Sequence, residues 1–162
     1  MDNYIYRNSG GTKYLISEIT IHPDYNYPFA FANDIAILTT SEPITTSSSV
    51  GFIALPTSIT GAGVNVTLTG WGLRSVSIIT LLTISDEDCK NKYVYGLDDT
   101  NVCTLTKIGE RGDSGGPLAI GNVLVGIVSR GRPWEKGYPD VYARVSSYIP
   151  WINNNSNSEL FY

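Results

Sequence analysis

Histidine and cysteine are scarce in this chain, with one of the former and two of the latter. A zinc site built on imidazole and thiolate takes about four such ligands, so the sequence implies no metal, and it implies no organic cofactor either. Charge is sparse too: charged residues make up 16% of the chain and the formal net charge is −4, with no block of Lys or Arg. A nucleic-acid partner requires a clustered basic footprint, so none is expected. No apolar run reaches the roughly 18 residues of a membrane-spanning helix. Residues 1–7, Met-Asp-Asn-Tyr-Ile-Tyr-Arg, lack the basic start and apolar stretch of a signal peptide. Long stretches in helical phase are also missing before the C-terminus.

What is present points to strands and turns. Tyr, Ile, Val and Thr suit strands, and 16 glycines with 8 prolines in 162 residues supply many turns. An all-β fold is the expectation, with one buried core or two small lobes. Cys89 and Cys103 would pair in an oxidising compartment and stay apart in a reducing one. Pairing would close a loop of about fifteen residues and stabilise by roughly 3 kcal/mol in the chain-entropy model. Two glycosylation acceptors, Asn65-Val66-Thr67 and Asn154-Asn155-Ser156, fit secretion.

Along the chain, residues 12–22 alternate, with Leu15, Ile19 and Ile21 on one face, and read as a strand ended at His22-Pro23-Asp24. Ile35 to Leu38 is a short apolar run, read as a buried central strand. The Ser/Thr/Pro-rich residues 41–50 read as a linker between lobes. Residues 64–71 and 76–84 read as strands, and Ser85 caps a short helix with acids in its first turn. Gly121-Asn122 joins two strands as a hairpin turn with glycine first. Residues 141–145 form a further strand. Ser146 is read as the cap of a C-terminal helix in which Pro150 costs a hydrogen bond unless it falls in the first turn. A polar tail follows from residue 153.

The chemistry is concentrated in Gly112-Asp113-Ser114-Gly115-Gly116-Pro117-Leu118. A serine hydroxyl is a weak nucleophile that needs a base beside it and donors for the oxyanion. Glycines around it let backbone N–H groups approach a substrate carbonyl. The string GDSGGPL resembles the nucleophile motif of the chymotrypsin/trypsin family. The order of its neighbours is similar as well: Asn33-Asp34-Ile35-Ala36-Ile37-Leu38, Thr69-Gly70-Trp71-Gly72, residues 125–129, and Tyr-Pro-Asp-Val-Tyr-Ala-Arg-Val at 138–145. The likeness spans roughly residues 12–152, and residues 103–109 are most like arthropod digestive chymotrypsins.

This resemblance implies a chymotrypsin-like double β-barrel with a short C-terminal helix. Residues 1–45 would be the remnant of an incomplete first barrel and residues 46–152 the second barrel with its helix. Residues 153–162 would be a tail, and the whole one peptidase domain. Ser114 would be the nucleophile and Asp34 the acid of a catalytic triad, with Gly112 and Ser114 forming the oxyanion hole. Ser129, Arg130, Gly131 and Asp140 would border the substrate pocket, and Cys89 and Cys103 would form a disulfide beside it. Arg130 stands where the family has Trp. Asp140 either reaches the pocket floor, favouring a basic side chain, or faces water.

The sequence departs from the family pattern in three places. Its one histidine, His22, sits in a turn-like His-Pro-Asp-Tyr, so the triad base is missing and the chain is expected to start inside the first barrel. Without the family's freed amino terminus, Asp113 is expected to be buried unpaired and residues 106–113 to be disordered. Residues 107–111 are shorter than in close relatives, and a cysteine pair is absent. The triplet Arg111-Gly112-Asp113 spells an adhesion motif, but its aspartate is expected to turn inward. The expected function is a secreted serine endopeptidase by family, in the gut lumen or another extracellular space, inactive as given for want of the base. The alternative is a non-catalytic homologue that binds a protein partner. The expected partner is a polypeptide, with no membrane and no nucleic acid, and the expected state is a monomer.

Overall fold

A computed structural model describes residues 12–70, 77–93, 96–105, 113–132 and 137–156. Its strands are β1 (Ile16–Ile21), β2 (Ala36–Thr40), β3 (Asn65–Gly70), β4 (Ser77–Thr83), β5 (Asn101–Leu105), β6 (Pro117–Ile120), β7 (Val123–Arg130) and β8 (Asp140–Arg144). Helix α1 spans Asp86–Lys92, and a 3-10 turn at Val145–Tyr148 leads into helix α2 at Ile149–Asn155. Strands β1 and β2 make a two-stranded antiparallel sheet, whereas β3-β4-β5-β8-β7-β6 close into a barrel. The all-β architecture with a short C-terminal helix is therefore present.

Period-two alternation builds the barrel interior. Val66 and Leu68 of β3 point inward with Leu81, Val102, Leu118, Val125 and Tyr142, and these residues form one core cluster. Strand β8 is buried on both faces. Tyr142 faces the barrel core. Its neighbour Val141 packs outward against Cys89 and Cys103. Those two cysteines are disulfide-bonded across 6.2 Å between Cα atoms, tying α1 to β5. Ser85 caps α1 by accepting from the Asp88 N–H at 3.0 Å, as its sequence suggests.

A second cluster sits outside the barrel. Ile35, Ala143, Val145, Tyr148 and Ile152 are buried together, with Leu55, Ile127 and Trp151 packed against them. The C-terminal helix thus clamps the segment leading into β2 onto β7 and β8. Pro150 falls in the first turn of α2, where its missing N–H costs no intrahelical bond. Ser146 does not cap this helix: it lies within the 3-10 turn, whose preceding residue Arg144 makes no side-chain cap bond.

Two strand expectations change. Of the Ile35 to Leu38 run only Ile35 is buried, and it precedes the strand, while Leu38 is 58% exposed. Among the described residues, strand β2 pairs with β1 alone and is not central. Ile19 and Ile21 are likewise 61% and 58% exposed, because among the described residues no third layer covers this sheet. Strand β5 was not marked by sequence pattern. Its first four residues are all buried, so no polar alternation advertises it.

Arg144 is the main buried charge. It is 2% exposed, and its guanidinium donates to the Asn101 carbonyl, to the Thr60 carbonyl at 3.0 Å and to Asp86 at 2.6 Å. Arg144→Met leaves two carbonyls without their donor and should cost roughly 3 kcal/mol, whereas Asp86→Asn, at the half-exposed partner, should cost well under half of that. Urea denaturation of the two variants checks the ranking. Burial pushes the Tyr142 hydroxyl above the ordinary tyrosine range despite its hydrogen bond to Thr104. The folded state therefore holds this proton more tightly than the unfolded one. That contribution is complete below the unfolded pKa of about 10 and is lost as pH rises above it. Stability measured across pH 9–12 should fall, and Tyr142→Phe should flatten the slope.

Candidate active site

Ser114 lies on a tight turn between the barrel core and solvent. The Gly116 N–H donates to the Asp113 carbonyl at 2.8 Å, and Gly115 takes the left-handed φ of +79° that such a turn needs at its third position. The Gly115 N–H donates to Val128 and the Val128 N–H to Gly116, which fastens the turn to β7. Asp113 is buried and Ser114 is exposed. The resemblance to the family's nucleophile motif implies an inward aspartate, and Asp113 is buried. The buried aspartate also removes Arg111-Gly112-Asp113 from consideration as a displayed adhesion triplet.

Asp113 fits because Gly70 has no side chain. A Cβ at Gly70 would fall 2.0 Å from the Asp113 carboxylate. The expectation that Asp113 stands unpaired is not met, for the residue is engaged in a polar or charged interaction. Gly112, Arg111 and the remainder of residues 106–112 lie outside the described residues, as do Trp71, Gly72 and Trp134. The expected disorder of that loop and the Gly112 half of an oxyanion hole fall there.

Asp34 arrives from the other sheet. Residues 22–35 fold into consecutive turns, with Tyr25 N–H donating to His22, Tyr27 N–H to Asp24 and Asn26 N–H to Ala32. Asn26, Phe31 and Asn33 all adopt left-handed φ values, of 64°, 63° and 52°. For Asn this is common, but for Phe it is a strained conformation that the surroundings must impose. Asn33 knits the loop by donating to the Asp24 and Tyr27 carbonyls, each at 3.1 Å. The loop ends with Ile35 locked in the outer cluster, and Asp34 is half-buried beside it. There Ser129 Oγ donates to Asp34 Oδ2 at 2.7 Å. The sequence marked Ser129 only as bordering the pocket. Its hold on Asp34 was not readable, because the two residues are 95 positions apart.

The remaining sequence candidates divide. Arg130 sends its guanidinium to the Phe31 carbonyl at 3.3 Å and to the Gly96 carbonyl, over the Phe31 ring. Burial lowers its pKa, while Tyr93, Asp34 and Asp98 act the other way. Asp140 is half-buried, with its carboxylate against Gly131, where an added Cβ would fall 2.2 Å from Oδ1. His22 occupies its turn. Its Nδ1 accepts from Asp24 N–H at 3.2 Å, and its ring packs on Tyr148 and Trp151 of the C-terminal segment. It is committed to the scaffold, and the sequence has no other imidazole. No set of metal-ligating side chains occurs among the described residues, and no helix there is long and apolar enough to cross a membrane.

Comparison with known proteins places this arrangement among relatives. The family model described as trypsin matches residues 2–152. Chymotrypsin-2 of Vespa crabro is 39% identical over 154 residues, covering 88% of this chain and 70% of the relative. Brachyurin of Leptuca pugilator is 35% identical over 155 residues, covering 86% of this chain and 67% of the relative. Trypsin beta of Drosophila erecta is 34% identical over 166 residues, covering 93% of this chain and 65% of the relative. The chain thus spans about two thirds of the length of these proteins.

Ser129→Ala removes a donor from a half-buried carboxylate and should destabilise by about 2 kcal/mol, read as a lower urea midpoint at unchanged slope. Gly70→Ala should cost at least as much, because a methyl group cannot share space with the Asp113 carboxylate. A Gly70→Ala/Asp113→Ala double variant should recover part of that loss, which a double-mutant cycle measures.

Proposed function

Because the chain belongs to the trypsin family of serine proteases, we propose that it is the nucleophile-bearing and substrate-binding part of a serine endopeptidase acting on polypeptides. The observation that carries this reading is the exposed Ser114 on a glycine turn fastened to β7 at Val128, whose neighbour Ser129 in the same strand holds Asp34. The β7 edge adds to it. The ladder on the β6 side ends with the Val128–Gly116 bonds, and beyond it Ser129 to Gly131 have no strand partner on that side among the described residues. An extended peptide can add there as a strand, with its backbone polar groups paired.

In this reading Ser114 Oγ attacks the scissile carbonyl while a base takes its proton. The N–H groups of Gly112 and Ser114 hold the oxyanion. The C–N bond breaks, the leaving amine receives the proton, and water hydrolyses the acyl-serine. Asp34 orients the imidazole that serves as base and stabilises its cation, as in the established triad of this family. Asp140, against Gly131, favours a basic side chain in the pocket. His22 is not that base, since its ring is engaged with Asp24, Tyr148 and Trp151. Without that base, peptide turnover is reduced on the order of a millionfold, as for removal of a triad base elsewhere. The same commitment of His22 favours a second reading, a non-catalytic homologue that uses the β7 edge to hold a protein partner. The Cys89–Cys103 disulfide supports an oxidising compartment, extracellular or the gut lumen, for either.

A sensitive fluorogenic assay with an arginyl peptide amide decides between them. Slow turnover abolished by Ser114→Ala and unaffected by His22→Ala supports the endopeptidase reading. Turnover unchanged by Ser114→Ala, or none in the presence of demonstrable peptide binding, supports the binding reading.

A further inference from the structure

Arg130 is a half-buried cation that hydrogen-bonds to no carboxylate among the described residues, although Asp34 and Asp98 act on it from nearby. Both of its hydrogen-bond partners are neutral carbonyls, Phe31 O and Gly96 O. A guanidinium has five donors in a planar fork, so these two bonds leave capacity for a further acceptor. Its alignment is fixed by the Phe31 ring at 5.6 Å, by the Phe31 carbonyl of the Asp34 loop, and by the Gly96 carbonyl in the segment before β5. Asp34 and Asp98 act on this partly desolvated cation from a distance, and an incoming anion in direct contact would add the charge-assisted bond that neither makes.

Its place in the fold determines what that anion belongs to. Arg130 directly follows Ser129 at the open end of β7, beyond the last ladder bond to the Ser114 turn. A chain laid along that edge passes between Ser114 and Arg130. Side chains of a strand alternate between faces, so at least one residue of an added strand projects toward the Arg130 side. Gly131, next along, brings no side chain of its own, and Asp140 lies against it. The edge therefore presents a cation at Arg130 and an anion at Asp140 one residue further on.

We propose that Arg130 is a specificity-determining residue that selects an acidic side chain upstream of the residue held beside Asp140. The proposal rests on the peptide-binding reading above and names the substrate class it implies: a polypeptide with a carboxylate a few residues before a basic residue.

The test uses acetylated tetrapeptides ending in arginine, in which Asp, Ala or Lys is placed at each of the three upstream positions in turn. Binding to the isotopically labelled chain is followed by amide shifts of Ser129 and Arg130. At one position Asp should bind roughly tenfold tighter than Ala, as expected of a charge-assisted hydrogen bond, and Lys should bind weaker than Ala. Raising the salt concentration should narrow the contrast. Arg130→Gln removes the charge, so it should abolish the contrast between aspartyl and alanyl peptides at that position, whatever it does to overall affinity. Arg130→Lys should retain part of it, with unchanged melting as the check on folding. Equal binding of Asp, Ala and Lys peptides at every position overturns the charge selection and leaves peptide binding standing. Absence of any peptide-dependent shift at Ser129 overturns both together.

Discussion

The short bond from Ser129 to Asp34 joins two pieces of structure that share no strand. Asp34 leads into a two-stranded sheet and Ser129 lies near the end of a barrel strand, yet their side chains meet at 2.7 Å. For that to happen, the chain before β2 must be pressed onto the outside of the barrel. The outer apolar cluster does this by burying Ile35 among residues of β8 and the C-terminal helix. Arg130 adds a second fastening, one residue from Ser129, to the carbonyl of Phe31. The strained φ of Phe31 is intelligible as a result, since ring and carbonyl are each held by the same guanidinium. The polar site is thus the product of an apolar clamp several residues away, and a loosened clamp would separate the acid from its donor.

Within the barrel the same economy of contacts appears at the nucleophile turn. Two backbone bonds to Val128 and Gly116 fix Gly115 and β7 against each other. The serine hydroxyl is thereby displayed on a turn held in place by backbone bonds. This suits a site whose partner groups come from several directions, since a backbone scaffold tolerates variation around it.

Much of this was legible in the residue order. Alternation in residues 64–84 and 118–128 located four barrel strands, and the acidic turn after Ser85 located α1. The glycine-rich serine motif announced the turn that displays Ser114. Other parts were hidden for physical reasons. Strand β5 is buried on both faces and so has no period to read. The apolar residues of β1 and β2 suggested burial that the two-stranded sheet does not provide. Ser129 and Arg130 owe their roles to residues 95 and 99 positions away, a distance over which local pattern carries no information. Chemistry at a single position can be guessed from type, but who it touches is decided by the fold.

The contact between Gly131 and the Asp140 carboxylate constrains how this protein can change over generations. A mutation that gives residue 131 a side chain meets an occupied space, because the nearest oxygen of Asp140 already fills the position of the new Cβ. A side chain there therefore requires the Asp140 carboxylate to swing aside or be replaced by something smaller, so the charge and the free width beside position 131 change together.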